Sequence, residues 1–96
     1  MQQELQRRIV VTGVGVVSPL AVDVDTFWTR LTAGDSGIHE LTTLDTAKYK
    51  VHFGGDIPDF NVGDWVDHRE AKRLDRFTQF AVHAGGQAIK DSAINL

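Results

Sequence analysis

The stretch Arg7-Arg8-Ile9-Val10-Val11-Thr12-Gly13-Val14-Gly15-Val16-Val17-Ser18-Pro19 decides how the chain is read. From Arg8 to Thr12 it is a nearly continuous apolar run rich in β-branched side chains. That is the pattern of a strand covered on both faces in a parallel sheet. Gly13, Gly15, Ser18 and Pro19 then break the run into a loop. As a secretory leader, Arg7-Arg8 would be the charged part and the residues after it the apolar part. Two glycines among so many β-branched residues make a poor helix, and the run is too short to span a bilayer. The strand reading brings with it a cytoplasmic location and no membrane partner.

Outward from this strand, residues 1–6 read as a polar lead-in. Downstream, Asp23 or Asp25 is placed to cap a helix over about Val24 to Ala33, with Phe27, Trp28 and Leu31 as its apolar face and Gly34 as the residue that ends it. Gly34-Asp35-Ser36-Gly37 is a turn. Between Tyr49 and Phe53 the apolar residues Tyr49, Val51 and Phe53 alternate with Lys50 and His52, which predicts a second strand. Gly54-Gly55 follows as a bend, and Ile57-Pro58 closes the segment.

Asp67-His68-Arg69-Glu70 has the capping-box arrangement, an acid at the N-cap and Glu three residues on. A single long helix is expected from there to about Ser92. Leu74, Phe77, Ala81, Gly85 and Ala88 make one face of it, and the small residues Ala81, Ala84, Gly85, Gly86 and Ala88 predict close packing on a neighbour. Strand, helix, edge-type strand and long helix give an α/β arrangement. A crossover helix without the strand it returns to is an unfinished unit, so residues 1–96 read as a portion of one domain with no second domain.

The composition narrows the function classes. With 42% hydrophobic and 24% charged residues the chain is of ordinary globular usage rather than disordered. A net charge of −3 argues against a nucleic-acid partner. There is no cysteine, which removes a disulfide scaffold, a thiolate metal site and a thiol nucleophile from these residues. His39, His52, His68 and His83 show no paired spacing for a metal on one helix face, so no metal site is assigned.

Gly13-Val14-Gly15-Val16-Val17-Ser18 after a strand approaches the dinucleotide-binding pattern, which would make the chain a nucleotide-binding domain. That motif needs a helix to begin at once, whereas Pro19 holds Ser18 extended and the helix caps come near Asp23. A tight turn is the better reading. The stronger feature is cationic: Arg69, Lys72, Arg73 and Arg76 are four of ten basic residues within eight positions. Their i+3/i+4 spacing makes one stripe on a single helix, in its first turns, where the macrodipole disfavours cations. A solvated helix face is the plain explanation. The location against the dipole points instead to an anion, either a phosphate or an acidic protein.

Taken together, these segments resemble the β-ketoacyl-acyl-carrier-protein synthases, condensing enzymes of fatty-acid synthesis, and the synthase II branch most closely. The matching stretches are Arg7 to Gly15 with Ser18-Pro19; Trp28 with Leu31, Ala33-Gly34 and Ser36-Gly37-Ile38; and Asp45 with Tyr49. They continue with Phe53-Gly54-Gly55-Asp56-Ile57 and Asp59-Phe60, the run Arg69-Glu70-Ala71-Lys72-Arg73-Leu74-Asp75-Arg76-Phe77-Thr78-Gln79-Phe80-Ala81, and Asp91-Ser92-Ala93. Leu20-Ala21 stands where a glycine usually follows the proline, and Leu74 replaces a usual methionine.

The resemblance implies the amino-terminal part of a thiolase-like αβαβα fold, incomplete in this chain, in an acyltransferase that is usually a homodimer. In that family a cysteine takes the acyl chain and two histidines assist decarboxylation of malonyl-carrier and the carbon–carbon bond formation that follows. All three lie beyond position 96 in the family pattern, so no catalytic and no cofactor-binding residue is assigned here, and the chain alone is expected to be inactive. Substrates arrive on the phosphopantetheine of the acyl carrier protein. The implied partners are that carrier and the remainder of the synthase chain. The segment matching Arg69, Lys72 and Arg73 forms part of the carrier-docking surface in bacterial synthases, with Arg76 a weaker candidate. The same surface would serve a carrier-binding module without chemistry or a degenerate paralogue, and acyl-chain preference and the choice among synthase I, synthase II and polyketide ketosynthase stay open.

Overall fold

A computed structural model describes residues 6–96, the side chain of Asp64 excepted; the first five residues of the polar lead-in lie outside the described residues. Helix α1 spans Val24–Thr32, strand β1 His39–Glu40, strand β2 Phe53–Gly54, a 3₁₀ turn Gly63–Trp65, helix α2 His68–Ala71 and helix α3 Arg76–Ser92. The strands pair antiparallel, His39 with Gly54 and Glu40 with Phe53.

Helix α1 forms as its capping residues dictate. Asp23 is extended at the N-cap and its carboxylate accepts from the Thr26 N–H at 2.8 Å, satisfying one of the orphan donors of the first turn. Gly34 ends the helix at φ 84°, a conformation that favours glycine. Ahead of it, Ser18 cinches the turn through Ala21. The Ser18 hydroxyl donates to the Ala21 carbonyl at 2.9 Å and accepts from the Leu20 and Ala21 amides at 3.2 and 3.1 Å. No helix starts at Ser18, as a dinucleotide site would need. The apolar face of α1 is less covered than its pattern suggests: Phe27 is half-buried, while Trp28 and Leu31 are exposed.

Helix α3 is the spine. Gly13 and Gly15 lie directly against its backbone: a Cβ on Gly15 would fall 2.0 Å from the Ala84 carbonyl oxygen, and one on Gly13 2.3 Å from that of Ala88. Of the small residues expected to pack closely, Ala81 and Gly85 are exposed, Gly86 meets Trp65, and Ala84 and Ala88 meet the amino-terminal segment. His83, Gln87 and Asp91, each four residues apart, reach across to hold it. Asp91 Oδ2 accepts from the Val14 N–H at 3.0 Å, Gln87 donates to the Val16 carbonyl at 3.2 Å, and His83 Nε2 bonds the Val22 carbonyl at 2.9 Å. Trp65 lies over Gly86 and donates its indole N–H to His83 Nδ1 at 3.0 Å. His83 is thus the neutral tautomer with its proton on Nε2, since Nδ1 must offer a lone pair to the indole.

Five expectations are corrected. Arg8 to Thr12 forms no strand: no described residue pairs with it, and Ile9, Val10 and Val11 are 94%, 67% and 82% exposed. A central strand of a parallel sheet needs neighbours on both sides, and the only ladder among the described residues lies elsewhere. The second strand is confined to Phe53–Gly54, and Tyr49 and Val51 stay exposed outside it.

The long helix is broken in two. Asp75 is extended at φ −64° and ψ 157°, the N-cap of a new helix. Asp is better placed at a cap than in a helix interior, whereas the apolar period runs on through it unaltered. Asp67 likewise stands at the N-cap of α2, without the side-chain bond a capping box would give. The row Phe77, Ala81 and Gly85 faces outward. The covered side of α3 is that of Phe80, Ala84 and Ala88, and the buried apolar side chains are Leu20, Phe60 and Val62.

Candidate functional site

Arg69 lies in α2, Lys72 caps its C-terminus and Arg73 follows. All three are exposed, and among the described residues their side chains enter no ion pair. Winding continues past Ala71 as a turn: the Lys72 N–H bonds the His68 carbonyl at 3.4 Å, Arg73 that of Glu70 at 3.0 Å and Leu74 that of Ala71 at 3.2 Å. Arg69, Lys72 and Arg73 therefore keep the i+3/i+4 relation that puts them on one side. The dipole argument changes, however. Lys72 and Arg73 follow the C-terminal end of a short helix, where positive charge is tolerated, and do not occupy the first turns of a long one.

Arg76 leaves the stripe. Its guanidinium donates to the carbonyls of Phe60 at 3.1 Å, Ile57 at 2.7 Å and Pro58 at 3.3 Å. It also lies 5.3 Å from the Phe60 ring centre and 5.6 Å from that of Phe80, within cation–π range. Phe60 meets Phe80 edge-on at 4.9 Å and His83 at 5.2 Å. Arg76 thus ties the 57–60 segment to the start of α3. The four cations divide into three exposed heads, without ion pairs among the described residues, and one structural clamp.

Gln79 was not singled out in the sequence. Its side-chain amide donates to the carbonyls of Ala71 at 2.9 Å and Leu74 at 3.2 Å. A neutral amide one helical turn into a helix leaves no compositional mark. The cue that exists is an interior Asp75 followed four residues later by a long side chain able to reach back. Beside this corner is an open cleft of ≈ 340 Å³ lined by Phe60, Asn61, Val62, His68, Ala71, Lys72 and Gln79.

The other polar cluster is structural. Asp56 Oδ2 accepts from the backbone N–H groups of Thr42 and Thr43, both at 3.1 Å, and from the Thr43 hydroxyl at 2.8 Å. Asp56 Oδ1 is bonded to His39 Nε2, and His39 Nδ1 lies 2.9 Å from the Gly37 carbonyl. Burial pushes the Asp56 carboxyl up; the bonds from Thr43, Thr42 and His39 outweigh it and hold the group well below the usual carboxylate range. A depressed folded value means the stabilisation is complete above the unfolded value of about 3.9 and is lost as pH falls below it. Asp56→Asn is expected to abolish amide-exchange protection at Thr42 and Thr43 at neutral pH while leaving α1 protected. Unchanged protection there would refute the pinning role. His52 bonds the Thr46 hydroxyl at 3.0 Å, so His39, His52 and His83 are all held by structural partners.

The profile described as Beta-ketoacyl synthase, N-terminal domain, matches residues 6–96. The chain belongs to the β-ketoacyl synthase family. It is 42% identical over 90 residues to 3-oxoacyl-[acyl-carrier-protein] synthase 2 of Staphylococcus aureus (strain COL), covering 94% of its own length and 22% of the relative. It is 39% identical over 89 residues to the protein of the same name from Synechocystis sp., covering 93% of the chain and 21% of the relative. Among solved structures, the ishigamide ketosynthase/chain length factor superposes with a TM-score of 0.79 at 32% identity, over 90% of the present chain and 21% of that one. The chain spans about a fifth of the length of these relatives, and it carries part of a thiolase-like α/β fold. No described helix of it is long and apolar enough to cross a membrane.

Proposed function

We propose that residues 1–96 serve as the amino-terminal part of a β-ketoacyl-acyl-carrier-protein synthase, and that Arg69, Lys72 and Arg73 form part of its docking surface for an acidic acyl carrier protein. The observation behind the docking role is three exposed cations in one turn, none entering an ion pair among the described residues. The relatives are named 3-oxoacyl-[acyl-carrier-protein] synthase 2. In the reaction of such an enzyme, an acyl group held as a cysteine thioester is attacked by the enolate formed when malonyl-carrier loses carbon dioxide. The β-ketoacyl-carrier leaves and the thiol is regenerated. In this reading the carrier's phosphopantetheine brings the substrates and residues 1–96 bind no cofactor. The enzyme is a cytoplasmic homodimer, and the nucleophile belongs to the rest of the synthase.

Exposed charges at an interface rim act mainly on encounter rate and salt dependence. Each of Arg69→Ala, Lys72→Ala and Arg73→Ala in the full-length synthase is expected to weaken docking by about 0.5–1 kcal/mol. The combined Arg69→Glu, Lys72→Glu, Arg73→Glu protein should lose more, since repulsion is added. The measurement compares a carrier-bound acyl substrate with the same acyl group on pantetheine, at low salt. A docking defect raises KM for the carrier-bound form alone and flattens its salt dependence. An unchanged carrier KM in the triple variant would leave the three cations as a solvated face.

A further inference from the structure

Helix α2 has four residues and no side-chain cap at Asp67, and α3 has no side-chain cap at Asp75. A helix that short does not hold itself, because one turn fixes more backbone than its hydrogen bonds repay. Among the described residues, the backbone N–H groups of the turn that carries Lys72 and Arg73 bond back to α2, to the carbonyls of His68, Glu70 and Ala71, and none reaches α3. What ties it to α3 is Gln79, whose one amide group donates to the Ala71 carbonyl at 2.9 Å and the Leu74 carbonyl at 3.2 Å. Those two carbonyls bracket Lys72 and Arg73. The Gln79 side chain is half-buried and turned toward backbone.

We infer that Gln79 is the positioning residue of the docking surface, clamping the 71–74 turn to α3 so that Lys72 and Arg73 stand in a fixed arrangement beside Arg69. The inference rests on the docking role proposed above for those cations. Its physical content is preorganisation. Charges on a loose turn must be ordered when the carrier arrives, and that conformational entropy is subtracted from affinity. A turn already held by two hydrogen bonds has little left to lose. Gln79 supplies no charge of its own, so it alters how the cations are presented and not how many there are.

The test uses the full-length synthase with two neutral substitutions. Gln79→Met keeps the length and helix preference but has no donor, and Gln79→Asn keeps the amide one methylene short of its partners. Both should raise KM for a carrier-bound acyl substrate roughly three- to tenfold, the range expected from one or two lost hydrogen bonds. Both should leave kcat and the KM for the pantetheine-linked substrate unchanged. The slope of carrier KM against salt should stay as in the wild type, because no charge is removed, and amide exchange at residues 72–74 should quicken.

An unchanged carrier KM in both proteins, or an equal rise for both substrates, overturns the inference. If one variant does not fold, the other decides by the same comparison; if neither folds, Gln79 serves the fold itself and the inference fails. A silent triple reversal of Arg69, Lys72 and Arg73 sinks the docking reading. An effective triple reversal beside silent Gln79 variants sinks only the clamp.

Discussion

Purified alone, residues 1–96 are expected to self-associate and to unfold without a sharp transition. Among the described residues the buried apolar side chains are three, Leu20, Phe60 and Val62, whereas Ile9, Val10 and Val11 are 94%, 67% and 82% exposed in one consecutive row. Trp28, Phe53 and Phe77 are also more than three-fifths exposed. The radius of gyration is 17.9 Å and the principal extents are 64 × 36 × 24 Å; a compact domain of this length would have a radius near 12–13 Å, roughly. With so little apolar area removed from water, the hydrophobic term falls short of the chain entropy it must offset.

The amino-terminal row adds a specific route to association. It is β-branched and unpaired, so its free N–H and C=O groups are a template for a second copy. Light scattering with thermal unfolding is the measurement: polydisperse species growing with concentration, and a broad transition without a baseline. Val10→Lys, which places a charge in the row, should reduce the association markedly. A monomer with a cooperative transition in the wild-type chain would disprove the expectation.

How much of this could be read from the sequence depends on where each cause lies. Helix α1 was legible because its causes are local: Asp23 caps it through Thr26 and Gly34 releases it at positive φ. The Ser18-Pro19 turn was legible for the same reason. The amino-terminal strand was misread because a ladder belongs to two partners, and an apolar run states only that it wants covering, not by what. Periodicity also carried the long helix through Asp75, since the apolar spacing does not change there while the backbone does. With that break the stripe of four cations lost Arg76, whose guanidinium serves three carbonyls sixteen to nineteen positions upstream, beyond any local pattern. The remaining three were found because a charge cluster is a matter of composition. Gln79 and Asp56 act through backbone atoms brought to them by folding, and a sequence does not display those. The polar row His83, Gln87 and Asp91 is an intermediate case: four-residue spacing among small side chains was visible, but not that the row would grip the amino-terminal segment.

Residues 1–96 alone are also expected to show no condensation of acyl- and malonyl-carrier substrates above a no-protein control. Condensation by a synthase needs a nucleophile able to hold a thioester at neutral pH, and a thiol does so because an appreciable fraction is thiolate. The chain contains no cysteine. A serine could substitute only beside a general base. Ser18, whose hydroxyl is the one packed in the turn ahead of α1, spends it on the Ala21 carbonyl and on the Leu20 and Ala21 amides. Three of the four imidazoles are engaged as well: His83 accepts from Trp65 and donates to Val22, His52 bonds Thr46, and His39 is held between Gly37 and Asp56. A threonine hydroxyl meets the same difficulty, since that of Thr43 is given to Asp56. The assay follows release of carbon dioxide from malonyl-carrier together with formation of the β-ketoacyl product, with a full-length synthase as the positive control. Product formation that survives repurification of the 96-residue chain would show that some hydroxyl or imidazole here escapes its structural partner and carries the acyl group.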